Sequence, residues 1–198
     1  MARRKKNYKP LMALAALAIA ALATAAVTFT NVTYWVINAT MPPAMKYAGS
    51  DTSVATGKYV KVSYQYDSAQ ALNITRISVI GFTGDPVNYT DVVRVCNYYG
   101  PTPITATLIY RGQVADPNGL ASYVNTFYVY WTNPYKQPGV GFVGATQYPG
   151  PSPSVTINPG QCASLGVYVK IDPKLPSQNA DGKTILATYE VDIQMSPQ

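Results

Sequence analysis

Few residues in this chain of 198 are of the types that usually carry enzyme chemistry. There is no histidine, which removes the commonest general base and the commonest metal ligand. Asp67, Asp85 and Asp91 could bind a surface calcium ion together, but their spacing matches no calcium-binding loop. Glu190, the only glutamate, falls in an alternating strand pattern, where a carboxylate is typically exposed or paired. We therefore predict that the protein is not an enzyme and has no resident metal.

One glycine motif resembles a nucleotide-binding sequence in its letters alone. Residues 139–144 match G-x-G-x-x-G. A dinucleotide site requires a helix directly after this motif, and Pro149 and Pro151 follow instead. The sequence therefore predicts no cofactor.

A group of aromatic residues could serve as a binding platform. Tyr128, Tyr130 and Trp131 lie close together in the sequence, and aromatic rings exposed on a sheet can stack on sugars. Tyrosine is equally a good strand former, so the same group is also explained by packing. The first interpretation suits a monomeric binding module at the cell surface, which recognises carbohydrate or associates with the cell envelope.

Four sequons for N-linked glycans are present, at Asn31, Asn38, Asn73 and Asn88. A glycan on Asn31 or Asn38 would crowd any insertion of the surrounding segment into a partner. We therefore expect modification at Asn73 and Asn88, as in an exported glycoprotein.

The two cysteines, Cys96 and Cys162, predict one disulfide in an oxidising compartment. Such a bridge closes a long loop and would contribute roughly 3 to 4 kcal/mol. The alternative is a pair of free, buried thiols.

The first 26 residues have the pattern of a secretory signal peptide. A basic head over residues 3–9 precedes an apolar run of alanine and leucine, and Ala23 and Ala25 form an A-x-A site. The alternative is a retained leader that acts as a membrane anchor. Five of the 15 basic residues lie in the head, so ten then remain against nine acidic residues. A nearly neutral mature chain with scattered cations predicts no nucleic-acid partner.

The remainder of the chain predicts strands separated by turns. Residues 58–66 alternate apolar and polar side chains over a full strand, which indicates one buried and one solvated face. Proline, glycine, asparagine and aspartate lie between such runs, and no long helical period follows the leader. We therefore predict a single all-β domain over residues 39–198, a β-sandwich of jelly-roll or immunoglobulin-like type. The other predicted strands are 72–80, 91–96, 104–110, 124–131, 155–158, 163–171 and 185–195.

Residues 133–153 depart from this pattern. They are rich in proline, glycine and tyrosine, and their apolar residues keep no period. We expect a long loop or an excursion from the sheet. It would be either solvated or a surface for contact between subunits.

A strand-forming run begins where the leader ends, at residues 27–38. Its residues from Tyr34 to Ile37 are apolar on both faces, whereas a strand at a sheet edge ordinarily has one apolar face. The strand therefore lies inside its own sandwich or is donated to the next subunit. Head-to-tail donation does not close and produces filaments. The residues that would be buried are Val27, Phe29, Val32, Tyr34, Trp35, Val36 and Ile37.

Three features together resemble the major subunit of archaeal bundling pili, relatives of the bacterial TasA biofilm-matrix fibre protein. They are the leader, the early strand running on through residues 38–43, and the closing segment 188–193. The resemblance implies a jelly-roll sandwich that polymerises by donating its N-terminal strand into a groove of the neighbouring subunit. It also implies filaments that bundle side by side in a biofilm.

The expected function is thus a structural subunit of a secreted, extracellular filament. Its partners would be identical subunits and neighbouring filaments, and it would meet the membrane only through an uncleaved leader. The carbohydrate-binding or envelope-associated module is the alternative.

Overall fold

The structure, a computed structural model, describes residues 44–52, 58–67 and 72–198. Within these ranges the chain forms eleven β-strands and three short 3-10 turns, with no α-helix. No helix of the described residues is long and apolar enough to cross a bilayer. The predicted all-β class is confirmed.

The strands run as follows in chain order. They are β1 (Met45–Ala48), β2 (Val60–Asp67), β3 (Leu72–Val79), β4 (Pro86–Cys96), β5 (Ile104–Ala115), β6 (Val124–Asn133), β7 (Tyr135–Val143), β8 (Thr146–Tyr148), β9 (Val155–Ile157), β10 (Cys162–Ile171) and β11 (Thr188–Pro197). The 3-10 turns are Ser50–Thr52, Ala121–Tyr123 and Ser177–Asn179.

Two sheets of unequal width build the sandwich. The larger has the order β1-β4-β10-β6-β7-β8 and the smaller has the order β11-β5-β9, while β2 and β3 form a separate hairpin. All named strand pairs are antiparallel. The jelly-roll or immunoglobulin-like assignment stays a prediction.

Alternating side chains of both sheets form the core. On β5, Ile104, Ala106 and Leu108 are at most 1% exposed, whereas the residues between them are only partly buried. This period of two places one face of the strand against the larger sheet. Other core residues are Val93, Val95, Trp131, Val140, Val155, Ile157, Ala163, Leu165, Val167, Val169 and Ile171.

The disulfide joins neighbouring strands of the larger sheet. Cys96 of β4 and Cys162 of β10 are register partners and are bonded to each other, which confirms the predicted bridge. Directly after Cys96, the buried amide of Asn97 donates to the carbonyl oxygens of Thr102 and Ile157 at 2.9 and 3.1 Å. These bonds fix the loop between β4 and β5 against β9.

The prediction of a long loop over residues 133–153 is wrong, because this stretch contains β7 and β8. The pairing passes from Val129 and Val140 to Trp131 and Lys136, so β7 has two extra residues at this point. Pro138 falls inside this bulge, where no ladder N–H is required. Pro138, which made this segment resemble a loop in the sequence, is thus accommodated in the bulge of β7.

Several strand boundaries also differ from the predicted ones. β4 begins at Pro86 instead of residue 91, β5 continues to Ala115, and the last strand begins at Thr188 instead of residue 185. The four-residue β1 had no counterpart in the sequence prediction. Short edge strands are hard to predict because their pattern extends over too few residues.

Candidate functional site

A patch of tyrosines lies on the outer face of the larger sheet. Its residues line a shallow depression of about 360 Å³. The members of this tyrosine patch are Tyr128, Tyr130, Tyr135 and Tyr168, together with Asn88 and Gln137. None of the six carries a formal charge at neutral pH, so the patch suits a neutral ligand.

Strand register places three members of the patch, together with two residues of β7 and β8, in a row that crosses the sheet. We call this row the tyrosine row. The row consists of successive register partners on five adjacent strands: Asn88, Tyr168, Tyr128, Gly141 and Tyr148. Their neighbours Val167 and Val169 are buried, so the row faces outward. Four strand spacings of about 4.8 Å give it a length of roughly 19 Å.

Glycines on β7 leave room for the tyrosine rings of the neighbouring strands. A Cβ atom on Gly139 would lie 3.0 Å from Cζ of Tyr128, and one on Gly141 would lie 2.1 Å from the Phe127 carbonyl oxygen. Gly141 also has a φ of 127°, which side-chain-bearing residues rarely adopt. The strand therefore needs glycine at both positions to bring Tyr128 and Tyr148 to 5.4 Å between ring centroids.

Hydrogen bonds hold the phenol groups in place. The Tyr128 hydroxyl donates to Oε1 of Gln137 at 2.6 Å and accepts from the backbone N–H of Gly139. The Tyr130 hydroxyl donates to Oδ1 of Asn88 at 2.8 Å. Burial raises the pKa of Tyr128, so this phenol is neutral at physiological pH. Hydrogen bonds thus fix Tyr128 and Tyr130, two of the four tyrosines of the patch.

The prediction that Trp131 belongs to an exposed aromatic platform is wrong. Tyr128 and Tyr130 face outward and stack with ring centroids 6.1 Å apart, but Trp131 is 0% exposed. Alternation along β6 turns the indole into the core, where its Nε1 has no hydrogen-bond partner among the described residues. The sequence prediction missed Tyr135, Tyr148 and Tyr168, because their proximity arises from strand register.

A second aromatic cluster fills one end of the interior. Tyr110 and Tyr189 of the smaller sheet meet Phe127 and Phe142 of the larger one, with Phe127 and Tyr189 stacked at 4.8 Å. Burial raises the pKa of Tyr189 to about 12. This cluster packs the two sheets together and is separate from the outer tyrosine patch.

The edge of the smaller sheet is the second candidate site. β11 pairs with β5 along its length, and no other described strand pairs with it. Val191 and Ile193 on β11 are partly buried against the core, and Met195 is 41% exposed. β11 alternates apolar Tyr189, Val191, Ile193 and Met195 with polar residues over ten positions, and the backbone groups of a strand at a sheet edge can pair with another strand.

Lys46 lies on β1, the first strand of the described chain. Burial lowers the pKa of Lys46, and the negative charge of Asp192 on β11 offsets part of this shift. Six residues, 39–44, separate the predicted donor segment 27–38 from β1.

Asp91 forms a local polar network on β4. Hydrogen bonds from Arg94 hold the pKa of its carboxyl group well below the usual range, and bonds from Ser50 lower it further. The Ser50 backbone N–H and hydroxyl donate to Asp91 at 2.9 and 2.6 Å. This carboxylate is thus paired, and the described residues contain no group of three or more histidine, cysteine, aspartate or glutamate side chains that could hold a metal.

Several predicted residues lie outside the described ranges. These are the leader, the seven proposed donor residues between Val27 and Ile37, and the sequons at Asn31 and Asn38. Asn73 lies in β3, where the structure describes the backbone alone. Asn88 is exposed on β4.

Comparison with known proteins gives no match to a protein-family model and none to a curated protein.

Proposed function

We propose that the protein is the structural subunit of an extracellular filament, assembled head to tail by strand donation. Residues 27–37 of one subunit add to the β11 edge of the next. The observation that carries this proposal is the β11 edge of the smaller sheet, where β5 is the only described strand that pairs with β11. An added strand beside β11 would widen the smaller sheet and cover its partly exposed apolar side chains.

The chemistry of both surfaces is compatible with this pairing. The incoming segment is apolar on both faces near its end, and β11 offers backbone groups together with Val191, Ile193 and Met195. Strand addition uses main-chain hydrogen bonds for affinity and side-chain burial for register. Burial of Phe29, Tyr34, Trp35 and Ile37 would each contribute about 1.5–3 kcal/mol.

Other properties of the chain support secretion and assembly. A disulfide fits an oxidising compartment, and the sequence after residue 26 is nearly neutral. Low net charge reduces the repulsion between packed copies. We assign the lateral contacts that bundle filaments to the β8 edge of the larger sheet, at the opposite end of the strand order from β1.

Negative-stain microscopy of secreted protein tests the assembly. The wild type forms filaments, and a variant lacking residues 27–37 is secreted as folded particles. Filaments of normal appearance from that variant would overturn the proposal.

A pair of substitutions on β11 tests the acceptor edge. Met195→Lys places a charge on the apolar face of the edge strand, which blocks strand addition. Gln194→Lys adds the same charge on the opposite face of the same strand and serves as the matched control. We expect filaments from the control and none from Met195→Lys, with similar unfolding temperatures. Equal assembly of the two variants would exclude β11 as the acceptor of the donated strand.

A monomeric carbohydrate-binding module is the second candidate, favoured by the tyrosine patch. It predicts dispersed particles in the same microscopy and saccharide binding that is lost in Tyr128→Ala. Filaments together with an absence of saccharide binding would eliminate this alternative.

A further inference from the structure

The sequon at Asn88 occupies one end of the tyrosine row. Asn88 and Thr90 are two residues apart on β4, so both side chains lie on the outer face of the sheet, and both are exposed. Tyr89 between them points the other way and donates its hydroxyl hydrogen to the carbonyl oxygen of Ile80 at 2.8 Å. The two side chains that a glycosylating enzyme recognises are thus accessible together.

The amide of Asn88 is held in one orientation. Its Oδ1 accepts the hydrogen bond from Tyr130, and its Nδ2 has no hydrogen-bond partner in the described part of the chain. The nitrogen that would receive a sugar is therefore free. Tyr130 is 8% exposed, so the phenol that fixes this amide is itself immobilised.

The surface next to Asn88 has the properties of a sugar-binding platform. Tyr168 is the direct register partner of Asn88, and Tyr128 follows it on the next strand. Aromatic rings pack against the C–H faces of sugars, while phenol and amide groups bond to sugar hydroxyls. The depression also contains the Gln137 side chain, and its lining carries no charge.

We propose that Asn88 carries an N-linked, neutral glycan that lies across the tyrosine patch. The first sugars cover Tyr168 and Tyr128, and the row beyond them accommodates several further rings. Because the glycan is attached to the same chain, it occupies the patch itself, and the patch does not bind a free saccharide. This goes beyond the filament proposal and does not depend on it.

Glycopeptide mapping of the protein from its native source tests the modification. We expect a hexose-containing glycan on the peptide that includes Asn88. Thr90→Ala removes the sequon and the glycan, whereas Thr90→Ser preserves both and is the matched control. An unmodified Asn88 in native material would overturn the proposal.

Enzymatic release of the glycan under native conditions tests its packing. Removing a stacked ring in Tyr168→Ala should increase the release rate several-fold, and Tyr98→Ala, at an exposed tyrosine outside the patch, should leave it unchanged. Equal rates in all three proteins would refute the packing.

A binding assay distinguishes the glycan attached to Asn88 from a free saccharide. The released glycan is added back to the wild type and to Asn88→Gln. Binding to Asn88→Gln alone supports the proposal, since only that patch is vacant. Equal binding to the wild type, or binding to neither protein, would contradict it.

Discussion

Removal of the Cys96–Cys162 bridge should destabilise the domain strongly. The bonded residues are 66 positions apart, so the bridge restricts a large part of the unfolded chain. Loop-closure entropy for a loop of this size corresponds to about 4 kcal/mol, between the values for 15 and 100 residues. Cys96 is 1% exposed and lies between β1 and β10, so the native strands hold the bonded pair in register.

The double variant Cys96→Ala/Cys162→Ala isolates this contribution. Guanidinium unfolding of the variant and the oxidised wild type should show free energies of unfolding that differ by about 4 kcal/mol. For a domain of this size, the unfolding temperature should fall by roughly 8–16 °C. The wild type in reductant should behave like the variant. A difference below about 1 kcal/mol would refute the reasoning, because the bridge would then not constrain the unfolded chain.

Three further predictions follow from burial and charge. Trp131→Ala should lower the free energy of unfolding by about 3–5 kcal/mol in chemical denaturation. Tyr135→Ala, on the exposed face, is the control and should change it by less than about 0.5 kcal/mol. Similar losses in the two variants would contradict the burial of the indole. Asp91→Asn should lose about 1.5–3 kcal/mol at pH 7, because Arg94 bonds to the charged carboxylate. The pKa of Asp91 is lower in the native state than in the unfolded state, so this stabilisation is complete above about pH 4 and is lost as the pH falls through the native pKa. A difference in unfolding free energy between variant and wild type that does not change with pH would exclude this contribution of the charged carboxylate. Tyr189 has a raised native pKa of about 12, so its contribution is complete below about pH 10 and is lost as the pH rises towards 12. Phenolate absorbance should show that alkaline step in the wild type and lack it in Tyr189→Phe; the same step in both proteins would assign it to another tyrosine.

The sequence predicts the elements whose side chains alternate over a full strand. β5 and β10 carry long apolar patterns, and their burial follows those patterns closely. The cysteine pair was likewise predictable, because a chain with two cysteines allows only one intramolecular bridge. β7 was not predictable, since Pro138 and its neighbouring glycines conceal a strand whose irregular residues lie in a bulge.

The tyrosine patch illustrates what the sequence does not contain. Tyr128 and Tyr130 alternate on one strand and could be grouped from the sequence, but Tyr168 is 40 residues from Tyr128 and joins them through register alone. Trp131 was grouped with them because it is adjacent in sequence, but alternation along β6 directs Tyr130 to the outer face and Trp131 into the core, where it is 0% exposed. Adjacent residues of a strand point to opposite faces, so adjacency argues against a shared surface.

The position of residues 27–37 in the assembled protein distinguishes strand donation from pairing within one domain. Electron cryomicroscopy of the proposed filaments measures this most directly, because it traces the backbone from one subunit to the next. We expect this segment to leave its own domain and to form a strand beside β11 of the neighbouring subunit. A filament in which the segment pairs within its own domain, or a secreted protein that forms only separate particles, would contradict the account.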